Sequence, residues 1–206
     1  MTKIVYIGDV YCGWCHGFDP ELAVFLEKHP EIEIEVLTGG LMVPPDLHPA
    51  STYKERLLPI YEKIATVYPG TDFSGKIRVM QEGTRIMDST HPGCVLQLVK
   101  QYAKNHEVFK FFTAIQHRFF VEGVDLALAD SYLPVIESLG LVDKISKADI
   151  EAALKDSNLP QADYKKAMGF GVQTFPTLAV ERDGKWDVFP ADGLHVADLE
   201  KRIFLN

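Results

Sequence analysis

Tyr11-Cys12-Gly13-Trp14-Cys15-His16 is the stretch on which the fold turns. It lies where an apolar, β-branched run from Lys3 to Val10 gives way to helical spacing from Cys12 to about His29, so two cysteines stand at the start of a helix. Backbone N–H groups at a helix start have no partner inside the helix, and the positive end of the helix dipole lies there, so an anion is favoured. Only a thiolate attacks a disulfide, and positions of this kind bring cysteine pKa values from about 8.5 to roughly 3.5–7.5. Cys12 is therefore the expected nucleophile. Cys15, one helical turn on, is the expected resolving thiol that closes a ring with Cys12 and frees a mixed disulfide. The Cys-x-x-Cys spacing alone is a weak signal, and its place at a strand-to-helix junction carries the reading.

Working outward, Phe18, Leu22, Val24, Phe25 and Leu26 form an apolar helix face, and Pro30 follows as a stop. Ile32-Glu33-Ile34-Glu35-Val36-Leu37 alternates with period two and ends at Gly39-Gly40, the pattern of a second strand. Strand, helix and strand make a βαβ unit with parallel strands and a right-handed connection. From Leu41 to about Leu159 alternation disappears. Helices are expected over Thr52–Tyr68 with a break at Pro59, His91–Asn105, Glu107–Glu122, Asp130–Leu139 and Ser146–Asp156. Ser146 and Asp149 form a capping-box pattern at the start of the last. A short helix Gln161–Met168 follows, then a run from Phe175 to Arg182 joined by Asp183-Gly184 to Lys185–Phe189, the signature of a type I′ hairpin. A helix over Ala197–Leu205 closes the chain. The expected architecture is α/β: a discontinuous domain of residues 1–41 and 160–206, interrupted by an all-helical insertion domain at 42–159.

With 206 residues, 47% of them hydrophobic and 24% charged, the chain has the material for a packed core and not the composition of a disordered one. A net charge of −8 opposes binding to nucleic acid or to an anionic membrane surface. No run approaches the roughly 18 apolar residues of a membrane span. The first nine residues hold one lysine and a short apolar run, less than the about 7–15 apolar residues of a secretory signal, so a cytoplasmic location is expected. In a reducing compartment, thiols close in sequence are catalytic or metal-binding more often than structural. A four-ligand zinc site would have to recruit Cys94 or scattered histidines, so no metal is expected. Cys94, near Val95, Leu98 and Val99, reads as a buried small hydrophobe. Trp14 is a substrate platform or a shield beside the nucleophile. His16 either tunes the Cys12 thiolate or stands solvated on the first helical turn.

The chain resembles the thioredoxin superfamily in two places. One is Cys12-Gly13-x-Cys15 followed by Pro20, like that family's kinked active-site helix; the other is Phe170-Gly171-Val172-Gln173-Thr174-Phe175-Pro176-Thr177-Leu178, continuing through Arg182-Asp183-Gly184-Lys185. Together these cover roughly the first forty and last forty-five residues. The helical insertion is like that of the DsbA-like branch, which includes FrnE-like proteins and the hydroxychromene-carboxylate isomerases. The resemblance implies a thioredoxin-like fold, a cis Pro176 beside the cysteines, and a Phe175 backbone that pairs with an extended substrate in the manner of an added strand. It also implies a thiol–disulfide oxidoreductase or isomerase of protein or peptide disulfides. Such an enzyme needs no bound cofactor, and a small thiol such as glutathione or a protein reductant recycles it. Two departures stand out. The acidic residue these families place six positions before the nucleophile is Tyr6 here, which leaves the proton acceptor for Cys15 open. Gly13-Trp14 is neither the Gly-Pro of thioredoxins nor the Pro-His of DsbA, which implies a pair less oxidising than DsbA. Two other readings stay open: a glutathione-dependent transferase or isomerase of small aromatic substrates, and a binding protein switched by its cysteine pair. Retention of both cysteines favours redox chemistry.

Overall fold

The computed structural model describes residues 2–204. The chain opens with β1 (Lys3–Gly8), α1 (Gly13–Lys28) and β2 (Glu33–Thr38), the two strands parallel and in register from Lys3 opposite Glu33 to Gly8 opposite Thr38. Seven helices follow: α2 (Lys54–Val67), α3 (Ser74–Glu82), α4 (Thr90–Val99), α5 (His106–His117), α6 (Leu133–Ser138), α7 (Lys147–Leu154) and α8 (Gln161–Gly169). The chain then returns to the sheet as β3 (Thr177–Arg182) and β4 (Lys185–Pro190) and ends in α9 (Val196–Phe204), Leu205 lying outside the described residues. Sheet order is β2-β1-β3-β4, with β3 antiparallel to both its neighbours. Asp183 and Gly184 both have positive φ, 50° and 75°, the backbone that a type I′ turn requires.

Because successive side chains of a strand point to opposite faces, β1 builds two cores. Ile4 and Tyr6 enter the large cluster with Phe18 and Leu22 of α1, Phe109 and Phe112 of α5, and Leu199 of α9. Val5 and Ile7 face the other way, onto Leu37, Ala179 and Ala167 of α8. Each such fully buried side chain contributes about 1.5–3 kcal/mol relative to exposure.

Several boundaries differ from the sequence expectation, for local reasons. β1 stops at Gly8 and not at Val10, because the Cys12 N–H turns back to the Asp9 carbonyl at 3.0 Å. α2 runs unbroken through Pro59. Pro59 and Glu55 are both exposed, so the carbonyl that loses its helical donor faces water. α4 ends at Val99 and gives way to turns before Asn105, which has a positive φ of 50°. α3 was not anticipated: Gly75 and a buried Lys76 interrupt the apolar spacing that would have announced it. The capping box at Ser146 and Asp149 forms.

Two buried carboxylates tie the helices to the sheet. Asp9, fully buried just past β1, accepts from Tyr11 N–H at 2.9 Å, Ser89 Oγ at 2.9 Å and Leu41 N–H at 2.8 Å. Asp163 of α8 accepts from Thr38 N–H at 3.1 Å, Gln97 Nε2 at 2.8 Å and Lys100 Nζ at 2.6 Å. Asp9 thus fixes the loop that delivers Cys12, and a buried carboxylate is tolerated there because its lone pairs are occupied.

Candidate active site

Cys12 is the N-cap of α1. Its backbone is extended (φ −82°, ψ 116°), and its Sγ accepts from the Cys15 N–H at 3.3 Å, so the sulfur occupies the place of a capping oxygen over a free helix donor. The Cys12 thiol also donates to the Phe175 carbonyl oxygen at 3.5 Å. The Phe175–Pro176 peptide bond is cis. Cys12 retains 7% exposure and opens onto a cleft of about 780 Å³, whose walls include Trp14, Arg56, Tyr61, Gln173 and Phe175. Cys15 is wholly buried behind it, and all three cysteines are free thiols. Burial, and then the neighbouring Cys12 sulfur, hold the Cys15 thiol well above the ordinary cysteine range. Cys15 therefore reacts only after a nearby group takes its proton.

Gly13 is a packing residue. A Cβ there would stand 2.8 Å from the Tyr61 ring, which is itself stacked on Phe73 at 4.3 Å between centroids. The bare glycine lets α2 come against the first turn of α1 and makes Tyr61 part of the cleft. Trp14 faces the cleft edge-on to Tyr68 at 6.4 Å, with Lys63 Nζ 5.6 Å from its ring centre. His16 requires a correction. Burial lowers its pKa to about 4 and its half-buried ring stacks on Phe120 at 4.6 Å, so it is not a cation beside Cys12 and is only partly open to solvent. Its Nε2 is 3.0 Å from the Asp72 carbonyl. Cys94 is away from the cleft, buried, with its thiol donating to the Asp156 carbonyl at 3.2 Å and its pKa pushed up to about 11 by burial.

Two residues near the cysteines escaped the sequence reading. Tyr61 carries a buried hydroxyl with no hydrogen-bond partner in a side chain that faces Cys12. Asp19, four residues after Cys15, is 3% exposed and accepts from the Tyr6 hydroxyl at 2.5 Å. A signal for Asp19 existed: Cys15, Asp19, Leu22 and Leu26 follow helical spacing, so an acid sits on the buried face. Among the described residues no group of three or more His, Cys, Asp or Glu side chains is placed to hold a metal, and no helix is long and apolar enough to cross a membrane.

No family model matches the sequence, and no curated protein matches it either. Solved structures do resemble the fold. The cytosolic disulfide reductase DsbM from Pseudomonas aeruginosa superposes with a TM-score of 0.77 at 22% identity, covering 98% of this chain and 96% of its own. The same reductase with GSH gives 0.76 at 20%, with 98% and 96% covered. A candidate protein disulfide isomerase from Nitrosomonas europaea gives 0.73 at 19%, with 97% and 94% covered. A 2-hydroxychromene-2-carboxylate isomerase is more distant, with 0.56 at 10% and coverage of 90% and 87%. Over nearly its whole length, the chain has the thioredoxin fold with a helical insertion that these DsbA-like structures share.

Proposed function

We propose that the protein is a thiol–disulfide oxidoreductase that works on protein or peptide disulfides through Cys12 and Cys15. The observation that carries this is the placement of the Cys12 sulfur over the Cys15 N–H, beside the Phe175 carbonyl, at the floor of an open cleft. In the reducing direction the Cys12 thiolate attacks one sulfur of the substrate disulfide. That S–S bond breaks, a mixed disulfide with Cys12 forms, and the first substrate sulfur leaves and takes a proton. Cys15 then gives up its proton and attacks Cys12 Sγ, so that the Cys12–Cys15 bond forms and the second substrate thiol departs. The substrate gains two electrons and two protons, and the dithiol loses them. Two equivalents of a small thiol such as glutathione, or one protein dithiol, restore the pair.

The similarity to a cytosolic reductase and the Gly13-Trp14 dipeptide between the cysteines support a reductase working in the cytoplasm. The aromatic walls of the cleft, Trp14, Tyr53 and Tyr61, favour one other reading, a glutathione-dependent isomerase of small aromatic compounds. One set of variants separates the two. On a peptide disulfide, Cys12→Ser abolishes turnover, and Cys15→Ser traps the substrate on Cys12. An isomerase retains activity in Cys15→Ser, and that result would overturn the redox reading. A titration in glutathione buffers followed by Trp14 fluorescence places the pair on the scale between thioredoxin, about −270 mV, and DsbA, about −120 mV.

A further inference from the structure

The redox reading, on which this inference rests, leaves Cys15 buried with a proton to lose and Tyr6 where related proteins carry an acid. We propose that Asp19 of α1 is the acceptor of the Cys15 proton, held in position by the Tyr6 hydroxyl and connected to solvent through a cleft separate from the one that holds Cys12.

Four features of the geometry support it. Asp19 lies at i+4 from Cys15, so the two side chains share one helix face, and both are buried. Tyr6 O–H donates to Asp19 Oδ1 at 2.5 Å, while Oδ2 is buried with no partner at all. A buried carboxylate oxygen without a donor is costly, and such an orphan is where a transferred proton can reside. Tyr6 is itself tightly held. Its ring meets Phe109 and Phe112 edge-on at 5.6 and 5.5 Å, and its hydroxyl folds back over Gly8, where a Cβ would stand only 2.6 Å from the oxygen. Finally, Asp19 lines a cleft of about 350 Å³ with Pro20, Lys110 and His117, distinct from the cleft that holds Cys12, so a proton taken from Cys15 can leave without crossing bound substrate.

The groups that face Asp19 are Tyr6 from β1, Cys15 and His16 on its own helix, Lys110 and His117 from α5, and Tyr68 at the end of α2. Burial holds the Asp19 carboxyl well above the usual carboxylate range, partly offset by the Tyr6 hydrogen bond. The acid is thereby raised towards the thiol it serves, which is the condition for efficient proton transfer. In the resolving step the proton passes from Cys15 Sγ to Asp19, Cys15 attacks Cys12 Sγ, and the substrate sulfur departs. Tyr6, whose hydroxyl donates to Asp19 and also interacts with Cys15, stands between the thiol and the acid and holds them together.

The test follows the two half-steps separately by rapid mixing with a peptide disulfide from pH 5 to 9. Formation of the mixed disulfide is read in a Cys15→Ser background, and its resolution is read in the otherwise intact protein. Asp19→Asn, which keeps an acceptor for Tyr6, is expected to slow resolution roughly 10²-fold and to erase its pH inflection, with mixed-disulfide formation unchanged. Asp19→Glu restores the inflection in part, and Tyr6→Phe shifts it. A folded Asp19→Asn protein with the parental rate and pH profile of resolution overturns the assignment. Should Asp19→Asn not fold, unchanged profiles in both Asp19→Glu and Tyr6→Phe overturn it equally. If the intact protein never forms the mixed disulfide, the redox reading itself fails and takes this assignment with it; formation with unaltered resolution sinks the assignment alone.

Discussion

The Cys12 sulfur and the Phe175 carbonyl oxygen, 163 positions apart in the chain, stand 3.5 Å from each other. The sheet brings them together. β1 runs out at Gly8 just before the Cys12 loop, and β3 begins at Thr177 just after Phe175, with Ile7 paired to Thr177 across the antiparallel ladder. The active-site helix and the loop that ends at Pro176 therefore hang from adjacent ends of two bonded strands. The 173–175 loop is thereby brought against the cysteine that opens onto the cleft.

That arrangement separates the three cysteines in reactivity. Cys12 lines the open cleft, whereas Cys15 and Cys94 are wholly buried, and burial raises the thiol pKa of both, Cys94 to about 11. Brief treatment of the reduced protein with iodoacetamide at pH 7 should add one carbamidomethyl group, located on Cys12 by fragmentation of the peptide that carries both Cys12 and Cys15. Cys94 should react only on unfolding. Early labelling of Cys94 in the folded protein would contradict the burial described for it.

Asp9 holds the loop before Cys12 through three accepted hydrogen bonds, from Tyr11, Leu41 and Ser89. Asp9→Ala leaves two buried donors, Tyr11 N–H and Ser89 Oγ, without a partner, each worth about 1–3 kcal/mol, and frees the part-buried Leu41 N–H. A loss of at least about 2 kcal/mol in urea unfolding is expected. The redox equilibrium should shift with it, because the side-chain bonds lost are those that hold the loop carrying Cys12. Unchanged stability would mean that water replaces the carboxylate.

These tethers also explain how much could be read from the sequence. β1, α1 and β2 are local: apolar period, a proline stop and a glycine pair announce them within forty residues, and the Asp183-Gly184 turn announces the hairpin. The cysteines are legible for the same reason, since their chemistry depends on a helix start a few residues away. The roles of Tyr61 and Lys76 were not legible, and for Asp19 the helical spacing announces burial but not a partner. Each is a polar side chain whose role comes from what surrounds it in space: Tyr6 of the strand below, Cys12 on the neighbouring helix, and Met87 with Phe119 around the amine. The setting of His16 was hidden in the same way, because the ring stacked on it, Phe120, comes from a π-helical turn about a hundred residues later.

Gly13 tests the packing of α2 on the active-site helix. In Gly13→Ala the new methyl meets the Tyr61 ring, which cannot retreat because it is stacked on Phe73. Overpacking of this kind costs about 1–3 kcal/mol, against a gain of about 1 kcal/mol from replacing glycine in a helix. A net drop in melting temperature of a few degrees is expected, together with slower attack by Cys12 as Tyr61 is pushed into the cleft. A variant more stable than the parent would show that α2 moves away without cost.

Lys76 offers a test of the insertion that is independent of the cysteines. Its side chain is wholly buried in α3, with Nζ against the Met87 sulfur and 5.0 Å from the centre of the Phe119 ring. Burial, and then the charge of Arg85, bring its pKa from 10.5 down to about 7. Between these values the unfolded chain holds a proton that the folded chain does not, so stability rises with pH across this window and is lowest below it. The difference corresponds to on the order of 5 kcal/mol. Lys76→Met keeps the length of the side chain and removes the titration. The variant should be more stable than the parent at pH 7, and its advantage should shrink steadily as the pH approaches 10, measured by urea unfolding of both proteins side by side. An advantage that stays constant with pH would mean that the lysine amine keeps its proton in the folded protein.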